Sequence, residues 1–210
     1  MTRGRWQRRP SVRPTVVAND MKIAVVESDP GRAREIIDAL KEDGWQDVVV
    51  LGDVIGLARK LSALNPDLVL IDLANPSRDA LEQISAASDA QSRPVAMFVD
   101  HSDDEMTQAA VTAGLSAYVV GTLQPERIRP VLKTAIARFQ MMSQMRLELE
   151  AAKQALADRK TVDRAKGMVM RARGISEEEA YALIRKTAMS QNRKVIEVAQ
   201  ALLTASDLLS

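Results

Sequence analysis

Five short apolar runs, Ile23–Val26, Val48–Leu51, Leu68–Ile71, Val95–Val99 and Tyr118–Val120, recur through residues 21–125, and each is succeeded by a stretch with helical spacing. Runs this short, without polar alternation, are strands buried on both faces, and only a parallel sheet covered by helices on each side buries them so. The punctuation agrees. Asp29-Pro30 reads as N-cap and first residue of a helix through Lys41, a second helix ends at Leu64, and a third centres on Leu81–Ile84. Ser102-Asp103-Asp104-Glu105 fits a capping box whose helix closes near Gly114, and Pro125 starts a further helix. The expected fold class is α/β, a doubly wound five-stranded parallel sheet, followed by helices.

Beyond the sheet the chain changes character. From Pro125 to Lys160 only Pro130 interrupts the helical pattern, and Leu132, Ala135, Phe139, Met142, Met145, Leu149, Ala152 and Leu156 mark an apolar stripe at spacings of mostly three and four. That predicts a connecting helix over 126–157 with a partner seam. Gly174 then ends a helix over about 160–173, Ser176 with Glu179 forms a capping box for the next, and a third runs from about Lys194 to Leu208. These make a small three-helix unit at 158–210. Residues 1–20 carry five arginines without apolar periodicity and are expected to be a disordered basic arm.

Charge separates the same regions. Residues 21–125 hold eight basic and seventeen acidic side chains, whereas residues 126–210 hold sixteen basic and ten acidic, beneath a chain total of only +1. A basic end favours a polyanionic partner. The chain has no cysteine and one histidine, His101, which removes disulfides, thiolate chemistry and most imidazole-based metal or triad sites. No enzyme is expected. Without an apolar span or a secretory signal, the expectation is a cytoplasmic protein with no membrane partner.

In open parallel sheets chemistry gathers at the carboxyl ends of the strands, here Glu27 after the first and Asp72 after the third. Asp72 with Pro76 four residues on, and Ala113-Gly114 before Tyr118–Val120, resemble the receiver (CheY-like) domain of two-component response regulators over 21–125. The resemblance implies that Asp72 is the phosphoacceptor and that Glu27, Asp29 and Asp72 would hold Mg²⁺, with no other cofactor. Three positions depart from the pattern: Ser28 stands where an acidic residue is usual, Val99 where Thr or Ser is, and Gly121 where Lys is. Losing the hydroxyl removes a hydrogen bond of about 1–3 kcal/mol, and losing the lysine leaves a phospho-aspartate without its counter-ion. Those departures favour a receiver kept as a docking surface over one switched by phosphorylation.

In the basic region Arg159, Lys166 and Arg173 are seven apart and share one helical stripe, while Tyr181 and Arg185, four apart, share a face with Lys186 beside them. A tyrosine ring beside an arginine plane can stack on unpaired bases while cations hold phosphates. The alternative is a tyrosine capping a small core among solvated charges. Ala165–Met170, Ser176–Tyr181, Leu183-Ile184-Arg185, Ala188-Met189 and Val198-Ala199 resemble, in order, the ANTAR domain, an RNA-binding output module.

From Met21 onward the chain resembles the NasT-like regulators of nitrate and nitrite assimilation. That implies an antiterminator that binds tandem stem-loops in leader transcripts, is dimeric when active, and answers to a nitrate-sensing partner protein or a sensor kinase. Two rivals remain. A DNA-binding two-component response regulator would need an exposed polar recognition helix, and a purely dimerising interaction module would bind no RNA.

Overall fold

The computed structural model describes residues 20–121 and 123–209. The chain divides into two compact units, residues 1–143 and 144–210. In the first, five strands alternate with helices: β1 (Ile23–Val26), α1 (Pro30–Glu42), β2 (Val48–Leu51), α2 (Leu57–Leu64), β3 (Leu68–Leu73), α3 (Arg78–Ser88), β4 (Val95–Val99), α4 (Asp104–Thr112) and β5 (Ala117–Val120). All pairings are parallel, in the order β2-β1-β3-β4-β5. The α/β expectation holds, and each of the five runs is a strand.

Alternation along the strands feeds two cores. Ala24, Val26, Val69, Ile71, Val95 and Met97 face α2, α3 and α4 through Leu57, Leu61, Leu81, Ile84 and Ala110. Ile23, Val25, Leu68, Leu70, Ala96 and Phe98 pack instead on Ile36 and Leu40 of α1 and on Ile128, Leu132 and Ala135 of the helix after β5. Burial on both faces is why the runs of β1, β3 and β4 lack polar residues. One boundary differs from expectation. The N-cap of α4 is Asp103, whose side chain accepts from the Met106 amide, and Ser102 lies outside it, so the tetrad is not a reciprocal capping box.

Helix α5 spans Pro125–Arg173 without a break, so the expected separate helix over 160–173 is its final part. Nothing in the sequence stops a helix near residue 157. Pro130 lies in its second turn, where one lost backbone bond is tolerated. The apolar stripe divides along its length. Leu132 and Ala135 are fully buried against the sheet, whereas Met142, Met145, Leu149 and Leu156 are exposed.

In the second unit α5 ends at Gly174, whose φ of +64° terminates the helix at little steric cost. Helix α6 (Glu177–Ser190) starts at Ser176 with both bonds of a capping box, Glu179 N–H to Ser176 Oγ and Ser176 N–H to Glu179 Oε2. Helix α7 (Val195–Leu209) completes the unit. Its core consists of Ala165, Val169, Ala180, Ile184, Ala188, Val198 and Ala199, of which four are alanines. The expected basic arm lies outside the described residues except for Asp20. No helix among the described residues is long and apolar enough to cross a membrane.

Candidate phosphoacceptor pocket and nucleic-acid surface

Sheet register builds the pocket. Val26 lies opposite Ile71, so the next residues, Glu27 and Asp72, emerge side by side where the strand order reverses. Both are buried, Glu27 6% and Asp72 2% exposed. Asp100 comes directly after β4, next to the end of β3, with its backbone N–H on the Ala74 carbonyl. Asp29 is used differently. Its carboxylate caps α1 by accepting from the Arg32 N–H at 2.8 Å, and its own N–H donates to Glu27 Oε1 at 2.8 Å. The cap leaves little space, since a Cβ on Gly31 would meet Asp29 Oδ1 at 3.0 Å.

The cleft already contains a cation. Arg32 Nη2 lies 2.8 Å from Asp72 Oδ2 and 3.8 Å from Asp100 Oδ1, and Arg32 Nε lies 3.6 Å from Glu27 Oε2. Nη2 and Oδ2 are both buried and meet as an ion pair without a well-directed hydrogen bond. Burial acts to lower the Arg32 pKa, but Asp72, Glu27 and Asp100 outweigh it and hold the guanidinium above its ordinary value. Asp72 is pushed up to about 7, first by burial and then by the neighbouring Glu27 carboxyl, against the pull of Arg32.

The expected ligand trio does not gather as a metal site. Glu27 and Asp72 come together, Asp29 is committed to its cap, and the described residues contain no cluster of three acidic or histidine side chains suited to an ion. Ser28 supplies no carboxylate beside Glu27, and a guanidinium already lies within 4 Å of Glu27, Asp72 and Asp100. The residues present therefore do not fit Mg²⁺. Val99 is buried in the core and Gly121, directly after β5, has no side chain, so neither a hydroxyl nor an ammonium stands at those positions.

Sequence reasoning missed Arg32 and Asp100. A signal for the first was present: Arg32 is the third residue of α1, where the helix dipole disfavours a cation, so nearby anions are expected to offset it. Asp100 could have been found as the strand-end acid of β4, by the same rule that found Glu27 and Asp72.

In the second unit Tyr181, Arg185, Lys186 and Met189 line one shallow depression on α6 with Glu178 and Ala182. Tyr181 is 43% and Met189 73% exposed, beyond what a core-capping role would leave. Opposite them Ala180, Ile184 and Ala188 face the core. The α5 stripe is less uniform than its spacing implies. Arg159 and Arg173 are exposed, but the Lys166 side chain is only 16% exposed. Lys166 Nζ sits 2.7 Å from Asp163 and 2.6 Å from Glu177, bridging α5 to the start of α6. Both carboxylates raise its pKa, so it is a cation already engaged within the unit.

Similarity to known proteins divides along the same line. The response regulator receiver domain family matches residues 23–133, and the ANTAR domain family matches residues 150–203. Neither is an enzyme family. The transcriptional regulatory protein PdtaR of Mycobacterium tuberculosis is 25% identical over 182 residues, 87% of this chain and 89% of that protein. The nitrate regulatory protein of Klebsiella oxytoca is 39% identical over 83 residues, 40% of this chain but 20% of that protein. The DNA-binding response regulator MtrA of Mycolicibacterium smegmatis is 25% identical over 117 residues, 56% of this chain and 51% of that protein. With a receiver match over half its length and an ANTAR match behind it, the chain belongs to the response regulators, as a receiver domain joined to an ANTAR domain.

Proposed function

We propose that the chain is an RNA-binding transcription antiterminator whose reading surface is the exposed face of α6. The observation that carries this is the grouping of Tyr181, Arg185 and Lys186 on one solvent face, backed by a buried apolar face that fixes the helix. An exposed ring can stack on an unpaired base while the two cations hold flanking phosphates. Arg159 and Arg173, exposed on α5, add long-range attraction. Lys166 acts by holding α6 to α5, a different role from the direct phosphate contact its spacing suggests.

The targets we propose are tandem stem-loops in leader transcripts, and the similarity to a nitrate regulatory protein supports nitrate and nitrite assimilation as the setting. Two copies of the chain would engage the two hairpins, gaining avidity without new contacts. The exposed residues Met145, Leu149 and Leu156 on α5 supply a seam for that pairing. Input comes through the receiver domain, from a nitrate-sensing partner protein or a sensor kinase.

The test is a gel shift with tandem-hairpin leader RNA, a scrambled hairpin and duplex promoter DNA. The reading expects RNA binding that weakens with salt, and about tenfold weaker binding by Tyr181→Ala and by Arg185→Ala, with folding unchanged. Preference for the duplex would favour the DNA-binding rival. That rival needs a polar exposed recognition helix, yet Val198 and Ala199 of α7 are buried and Val195, Ile196, Leu202 and Leu203 are half-buried.

A further inference from the structure

We propose that Arg32 is the permanent cation of the receiver cleft, taking the place of a divalent metal and offsetting part of the carboxylate charge there, so that this domain holds its acids together without Mg²⁺ and without a phosphoryl group. Three carboxylates reach the cleft from three strand ends, and one guanidinium lies within 4 Å of all of them. Metal-free carboxylates packed this closely would repel one another at low dielectric. Arg32 relieves that repulsion, and it does so from the third position of a helix, where its charge opposes the macrodipole. A cation in a locally unfavourable helix position, held by three acids, is an arrangement that the acids stabilise.

A tethered side chain also has an advantage over a free ion. Arg32 is delivered by the backbone at an effective concentration of order mM or above, so a metal must first evict it and leave a like charge at the rim. Beside Glu27 no further acid is available to a metal, since position 28 is a serine and the Asp29 carboxylate caps the helix. Asp72, the carboxylate closest to the guanidinium, is the side chain a phosphoryl donor would have to reach. This inference concerns the receiver alone and does not depend on whether α6 binds RNA.

The experiment titrates MgCl₂ into the full-length wild-type protein and into the Arg32→Gln and Arg32→Ala variants, followed by calorimetry and by thermal melting. Wild type is expected to show neither heat of binding nor a rise in Tm, whereas both variants gain at least about tenfold in Mg²⁺ affinity and are stabilised by the ion. Wild type binding Mg²⁺ as tightly as the variants, or folded variants gaining nothing, overturns the proposal. Should the variants fail to fold in metal-free buffer, refolding with Mg²⁺ decides it: rescue supports the exchange of one cation for the other, and no rescue overturns it.

Discussion

Replacing Ile184 by alanine tests the view that α6 presents its outer face because its inner face is locked down. Ile184 is 1% exposed and is the largest fully buried side chain in a core otherwise built from alanines and two valines. The change removes three carbons, worth about 0.8 kcal/mol each, and the cavity adds to that, for about 3 kcal/mol in all. The unit of residues 144–210 commands about 3–10 kcal/mol at the usual stability per residue, so the loss is comparable with the lower end of that range. Amide hydrogen exchange on the intact protein is the assay. Peptides from α6 and α7 should lose about a hundredfold of their protection, and peptides from β1 and β3 should lose none, which makes the sheet an internal control. RNA affinity should fall with that protection. Unchanged exchange in α6 would refute the packing argument, because a side chain that contacts nothing can be truncated at no cost.

The buried acid Asp72 should leave a signature in stability against pH. Its folded pKa, about 7, lies above the ordinary 3.8, so folding takes up a proton between these values, and the associated stability is full below about pH 4 and lost as pH rises through about 7. Urea midpoints at about pH 5 and about pH 8 should differ more for wild type than for Asp72→Asn, and equal differences would count against the shift. At the start of α6, Ser176→Ala removes the acceptor for the Glu179 amide and should cost about 1 kcal/mol in a thermal melt, with the sheet's exchange unaltered. A loss below about 0.3 kcal/mol would mean that the cap is dispensable.

The sheet was legible because its three central strands are buried on both faces and its two edge strands are apolar as well, so five short apolar runs stand between turn and cap signals. The capping box at Ser176 was legible for a similar reason, since both of its partners are local. The unbroken course of α5 was not, because Gly174 announces where a helix ends but no residue announces that two helical stretches are one. Spacing put Lys166 on one stripe with Arg159 and Arg173 and could not see that Glu177, eleven residues away, would claim its ammonium. Arg32 escaped for the same reason. Its partners come from three separate strand ends, and their meeting is a product of register rather than of neighbourhood in the chain.

Four of the buried core positions of the second unit are alanines, Ala165, Ala180, Ala188 and Ala199, each within 2% of complete burial. Side chains of one carbon allow three helices to approach closely, and any bulkier replacement forces them apart. The spacing of the bundle is thus set by residues with almost no freedom to vary, while the outward positions of α6 carry none of that constraint. A lineage could rewrite which nucleotides the outer face prefers, one exposed residue at a time, and keep the same scaffold beneath it.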